Sequence, residues 1–134
     1  MKKCLSLLSL VGTILMLVIG LSAGNLDTKG KAWLAAHSEA AAVNVSGDWR
    51  AKEWGTIVLQ QAEGSRDVTG HGDGWDITGV VSGKQVFLLF SHHGGVAYSA
   101  VLTSEGEKSL NGSYSKGFMD AKAKGKPMQM ERKK

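Results

Sequence analysis

The sequence predicts an all-β protein: an eight-stranded antiparallel up-and-down meander barrel, with a short N-terminal helix after a signal peptide. Three observations carry that prediction. From Val43 onward, short segments alternate apolar and polar residues, the period of a strand that buries one face. The links 63–66, 72–73, 82–84, 92–95 and 104–108 are short and rich in Gly or polar residues, which suits hairpins and leaves no room for parallel crossovers of about a dozen residues. Glycine accounts for 18 of 134 residues with a single proline and no three-residue period, a composition for tight turns and close strand packing rather than collagen.

The N-terminal 24 residues read as an address. Lys2 and Lys3 form a basic start, positions 5–21 are almost wholly apolar, and Ser22, Ala23 and Gly24 offer small residues for cleavage. That is the order of a secretory signal peptide. At about 17 residues the apolar run also reaches the lower limit of a membrane-spanning helix, so a retained anchor is the rival reading. A lipid-modified start is excluded by Asn25, which stands where that chemistry needs Cys. Cys4 precedes the apolar run. After cleavage the net charge falls from +4 to +2 and no cysteine remains, a composition at ease in the periplasm or outside the cell. Residues 25–42 form a leader in which the Ala-rich run 31–42 has the composition of a short helix. Its few apolar anchors include Trp33 and Leu34.

The barrel occupies residues 43–134, with strands expected at 46–52, 55–62, 67–71, 74–81, 85–91, 96–103, 109–115 and 127–132. One parity runs through Trp49, Ala51, Ile57, Leu59, Val68, Trp75, Ile77, Val81, Val86, Leu88, Phe90, Tyr98, Ala100, Leu102, Leu110, Tyr114, Met128 and Met130. This is the inner face. Gly70, Gly79 and Gly112 share that parity and suit a tightly bent sheet. Asp48, Arg50, Gln60, Thr69, Asp76, Thr78, Gln85, Thr103 and Gln129 fall on the outside. A sheet with one apolar face gains by closing, because closure removes its exposed edges.

The first strand opens with Gly47-Asp48-Trp49, and the last strand ends on Arg132. A G-x-W at the start and a basic residue at the end resemble the calycin-type barrels: lipocalins, avidins and a bacterial metalloprotease-inhibitor family. The resemblance covers residues 45–132. It implies that Trp49 plugs one end of the barrel and that Arg132 stacks over it. The sequence departs from the lipocalin pattern in lacking a disulfide and the second lipocalin motif, around a T-D-Y, and no biotin-site pattern maps onto it, so the resemblance brings a fold and a closing role but no ligand. Cation–π attraction of about 0.5–2 kcal/mol supports the pairing on physical grounds.

Several groups are candidate sites. His71, Asp73, His92 and His93 lie in links at the same end of the barrel and could offer imidazoles and a carboxylate to Zn²⁺ or Cu²⁺. Their spacing matches no known motif, so no metal or cofactor is assigned. No G-x-S-x-G elbow is present, and Asp73 and Asp76 read as turn residues, so the chain is not read as an enzyme. Val80, Phe87, Leu89, Ala97 and Val101 have outside parity on adjacent strands, and such a group calls for a cover. A homodimer, an envelope partner or the Trp33-Leu34 segment would supply one. From Lys116 on, seven basic residues face two acidic ones, which allows weak contact with an anionic envelope surface. Nucleic acid is excluded by export. The leading expectation is an exported, non-enzymatic binding module that takes an apolar ligand or peptide among Trp75, Phe90, Tyr98 and Tyr114, with a packed interior that holds nothing as its counterpart. The alternatives are a protein-interaction or protease-inhibitor module acting through the outer face, and a metal-binding protein acting at the His links.

Overall fold

A computed structural model describes residues 28–93, 95–119 and 125–133. One helix, α1 (Thr28–Ala35), precedes eight strands: β1 (Gly47–Ala51), β2 (Gly55–Gln61), β3 (Asp67–His71), β4 (Asp76–Ser82), β5 (Gln85–His92), β6 (Gly95–Ser104), β7 (Ser109–Lys116) and β8 (Lys126–Arg132). Each strand pairs antiparallel with the next, and β8 returns to β1 to close the barrel. A closed eight-stranded antiparallel meander is consistent with a calycin-like fold. The signal and anchor readings concern residues 1–24, which lie outside the described residues. Among the described residues no helix is long and apolar enough to cross a membrane.

The alternation sorts the chain as the pattern requires. Trp49, Ile57, Leu59, Val68, Ile77, Val86, Leu88, Phe90, Leu102, Leu110 and Met130 form one buried cluster inside the barrel, with Trp75 and Tyr98 partly buried against it. The inner glycines explain how eight short strands curl so tightly. A Cβ on Gly70 would come within 2.1 Å of the Val58 carbonyl oxygen, one on Gly79 within 2.4 Å of that of Phe87, and one on Gly112 within 1.9 Å of that of Val101. Only a residue without a side chain lets the adjacent strand approach so closely.

The helix differs from the expected run at 31–42. It ends at Ala35, Ala36 closes the last turn on the Ala32 carbonyl, and Ala40, Ala41 and Ala42 run along the β4–β5 hairpin. Glu39 N–H donates to Ser82 Oγ at 3.0 Å, Gly83 N–H to the Ala40 carbonyl at 3.1 Å and Ala42 N–H to the Gly83 carbonyl at 2.8 Å. The helical preference of alanine is a few tenths of a kcal/mol per residue, and a set of tertiary backbone bonds outweighs it. Beyond this run, Gln61 pins the leader to the barrel. Its side-chain amide donates to the carbonyls of Val43 and Ser65 and accepts from Val45 N–H, so the buried group is fully satisfied.

The leader also covers the apolar outer face. Val80, Phe87 and Leu89 are buried, yet lie outside the inner cluster, while Ala97 and Val101 are partly buried. The His37 imidazole stacks on Phe87 with ring centroids 3.5 Å apart, and Trp33 meets the same ring edge-on at 5.7 Å. Trp33 Nε1 donates to the Met119 carbonyl, and Met119 N–H donates to the buried Ser99 hydroxyl. An eight-residue helix is unstable alone. Here it is held by the indole, the imidazole stack and the Arg66 guanidinium, which donates to the His37 carbonyl at 3.1 Å.

Candidate functional site: an aromatic box at one end of the barrel

The barrel has two differently built ends. At the first, the antiparallel register sets Trp49 directly opposite Arg132. The guanidinium carbon lies 4.4 Å from the Trp49 ring centroid. The indole N–H donates to the Val45 carbonyl at 2.8 Å. Arg132 in turn donates to the carbonyls of Ser46, Asn44 and Glu107. Gly47 makes the arrangement possible. Its φ of +138° disfavours other residues, and a Cβ there would lie 2.6 Å from an Arg132 nitrogen. A cleft of about 580 Å³ flanks this end, lined among others by Asn44, Lys84, Glu107 and Arg132.

The opposite end carries the links β1–β2, β3–β4, β5–β6 and β7–β8. Here Trp75, Phe90, Tyr98 and Tyr114 converge, as the shared inner parity requires. They surround a residue absent from the sequence-based list: Trp54, from the β1–β2 turn. Its indole stacks on Phe90 with centroids 4.5 Å apart and rings 29° from parallel. It is edge-on to Tyr98 at 5.3 Å and Tyr114 at 5.2 Å, and inclined to Trp75 at 5.8 Å. Offset stacks and T-contacts are the favoured arrangements of aromatic rings, at about 0.5–1.5 kcal/mol per pair beyond area burial. The expected open mouth is therefore filled by the protein's own indole.

Two further features mark this end. Trp54 Nε1 is buried with no hydrogen-bond partner, and an unpartnered buried donor costs about 1–3 kcal/mol. Beside it, the exposed Glu53 carboxylate accepts a 2.6 Å hydrogen bond from the Tyr114 hydroxyl. That bond, then burial and the nearby negative charge, raises the Tyr114 pKa above its usual value of 10.0. A cleft of about 240 Å³ adjoins the turn, lined among others by Lys52, Glu53, Trp54, Tyr114 and Pro127. Within the turn, Trp54 N–H donates to the Ala51 carbonyl, and Gly55 follows with φ of +73°.

The histidine links lie at this same end. His92 contacts both Trp75, at 5.8 Å, and His93, at 4.1 Å between ring centroids. Its Nδ1 lies 3.0 Å from the Gly74 carbonyl. A carbonyl only accepts, so Nδ1 is the donor in that contact. Among the described residues no group of three or more His, Cys, Asp or Glu is placed to hold a metal ion. Of the basic C-terminal residues, Lys122, Lys124 and Lys134 lie outside the described residues, and Arg132 is engaged at the Trp49 end.

Trp54 was missed because it breaks the alternation and sits in a turn. A signal existed nonetheless. A Trp has some 150–250 Å² to bury, and from the short link after the first strand the barrel end is the apolar surface within its reach. No family model, curated protein or solved structure matches the chain.

Proposed function

We propose that this protein is an exported, non-enzymatic binding module of the cell envelope that takes an apolar ligand, or the apolar side chain of a peptide, in the aromatic box at the Trp54 end. The observation that carries this reading is the orphaned indole donor of Trp54. A ring held by four aromatic walls but denied a hydrogen bond is a displaceable plug, whereas a purely structural plug gains from being satisfied. The Glu53–Tyr114 bond tethers the turn that carries the plug, and the adjoining cleft gives the displaced turn somewhere to move. Export rests on Lys2, Lys3, the apolar run at 5–21 and the small residues that follow.

The test is titration of the purified protein with Nile red, following probe emission and tryptophan quenching together. The expected result is saturable one-to-one binding that Trp75→Ala weakens and Arg132→Lys, at the other end, leaves unchanged. Equal, non-saturating emission from all three proteins would refute the reading.

A further inference from the structure

The occupant of the box also defines what the box selects. Resting on the binding reading above, we infer that the site is specific for a planar two-ring aromatic group that brings no hydrogen-bond donor into the box. Phe90 forms a nearly parallel floor to the Trp54 indole, while Tyr98 and Tyr114 stand at 88° and 84° to it. One stacking floor between upright walls makes a slot. A flat bicycle fills a slot and a flexible alkyl chain does not, because the quadrupoles of the edge-on rings are matched only by another ring. The missing acceptor at Nε1 sets the second half of the preference. A guest with an N–H there meets the same desolvation that the indole suffers, and a guest without one does not.

The same geometry predicts how the guest competes. Trp54 is tethered to its own site by a short turn, and such a tether gives an effective concentration on the order of millimolar. Any external ring must overcome it. The Glu53 contact with the Tyr114 hydroxyl adds to that tether, and because Glu53 is exposed, cutting it leaves the interior intact. The guest could be a free small molecule or an aryl side chain of a peptide. Both offer the same ring chemistry, and the 240 Å³ cleft beside the turn would favour the source that has a chain to lay in it.

Calorimetric titration of the wild type, Glu53→Ala and Trp54→Ala tests this with naphthalene, indole and n-hexane. Thermal unfolding of each variant confirms that it is folded. Naphthalene is expected to bind Glu53→Ala about threefold more tightly than the wild type, matching the loss of one modest hydrogen bond. It should bind Trp54→Ala at least about tenfold more tightly, where the intramolecular competitor is gone. In each protein naphthalene should exceed indole by about threefold or more, and hexane should be the weakest. Hexane binding as tightly as naphthalene overturns the aromatic preference while leaving the binding module in place. Indole equalling or exceeding naphthalene overturns the donor exclusion. Binding confined to Trp54→Ala, with Glu53→Ala and the wild type silent, shows a hole filled by chance and overturns the inference for the natural protein. Silence in all three folded proteins toward all three compounds, together with no Nile red binding, removes the binding module itself. A second arm compares naphthalene with a short peptide bearing 2-naphthylalanine, and the tighter of the two identifies the source.

Discussion

Both ends of this barrel are shut by a tryptophan, and the two closures obey different rules. Trp49 belongs to a strand, donates its N–H to Val45, and lies beneath an arginine that ties three backbone carbonyls together. Trp54 belongs to a turn, is ringed by four aromatic side chains, and leaves its indole N–H unused. The first closure is directional and satisfied, so any displacement loses several hydrogen bonds at once. The second rests on ring contacts that another ring could reproduce. A similar side chain at each end is therefore fixed by hydrogen bonds in one place and by ring contacts in the other, and on the proposed function the second seal is the exchangeable one.

The comparison can be broken most sharply by truncating each indole in turn. Trp49→Ala should destabilise the fold by about 3–5 kcal/mol in urea unfolding, the range for a fully buried large side chain. Trp54→Ala should cost about half as much, because the side chain is only partly buried and its loss removes an unsatisfied donor. Equal losses would mean that the two plugs are alike. Next in size, Arg132→Met should cost about 2–3 kcal/mol through lost carbonyl contacts and ring attraction. Arg132→Lys should recover less than half of that, since one ammonium cannot reproduce the planar fork. Smaller again, Trp54→Phe keeps a ring in the box and discards the donor, and its midpoint should fall within about 1 kcal/mol of the wild type. A Trp49→Phe partner control should lose clearly more.

The smallest effects are in pH. The Tyr114 pKa is raised in the folded protein, so above about pH 10 the unfolded chain ionises first. Stability that is constant below that pH should then decline as pH rises, and Tyr114→Phe should lose this contribution. His37 behaves in the opposite direction. Burial lowers its pKa from 6.5, so the stability of its stack on Phe87 is complete above that value and falls as pH drops through the folded pKa. Protection of the α1 amides, taken relative to the intrinsic exchange rate at each pH, should fall on acidification before protection in β4 and β5 does. Simultaneous loss would show that the helix and the sheet open together.

The strand pattern was legible because period-two alternation is a direct readout of an inside and an outside, and residues from Trp49 to Met130 obey it. The pairing of Trp49 with Arg132 followed from a resemblance and from the antiparallel return of β8. Two things were not legible. The helix boundary depended on backbone partners 40 residues away in the β4–β5 hairpin, which local propensity cannot register. The resident of the aromatic box came from a turn, where no periodicity exists to place it. The apolar outer residues were visible as an anomaly, but whether the leader or another molecule covered them depended on where Trp33 and His37 would come to rest.

One consequence follows from Gly70, Gly79 and Gly112, whose missing side chains allow neighbouring strands to coil at close quarters. Strand number and stagger set the girth of the cylinder, and these three positions let the wall take that curvature without a clash. A methyl group at any of them would push against a neighbouring carbonyl oxygen and unzip the hoop there.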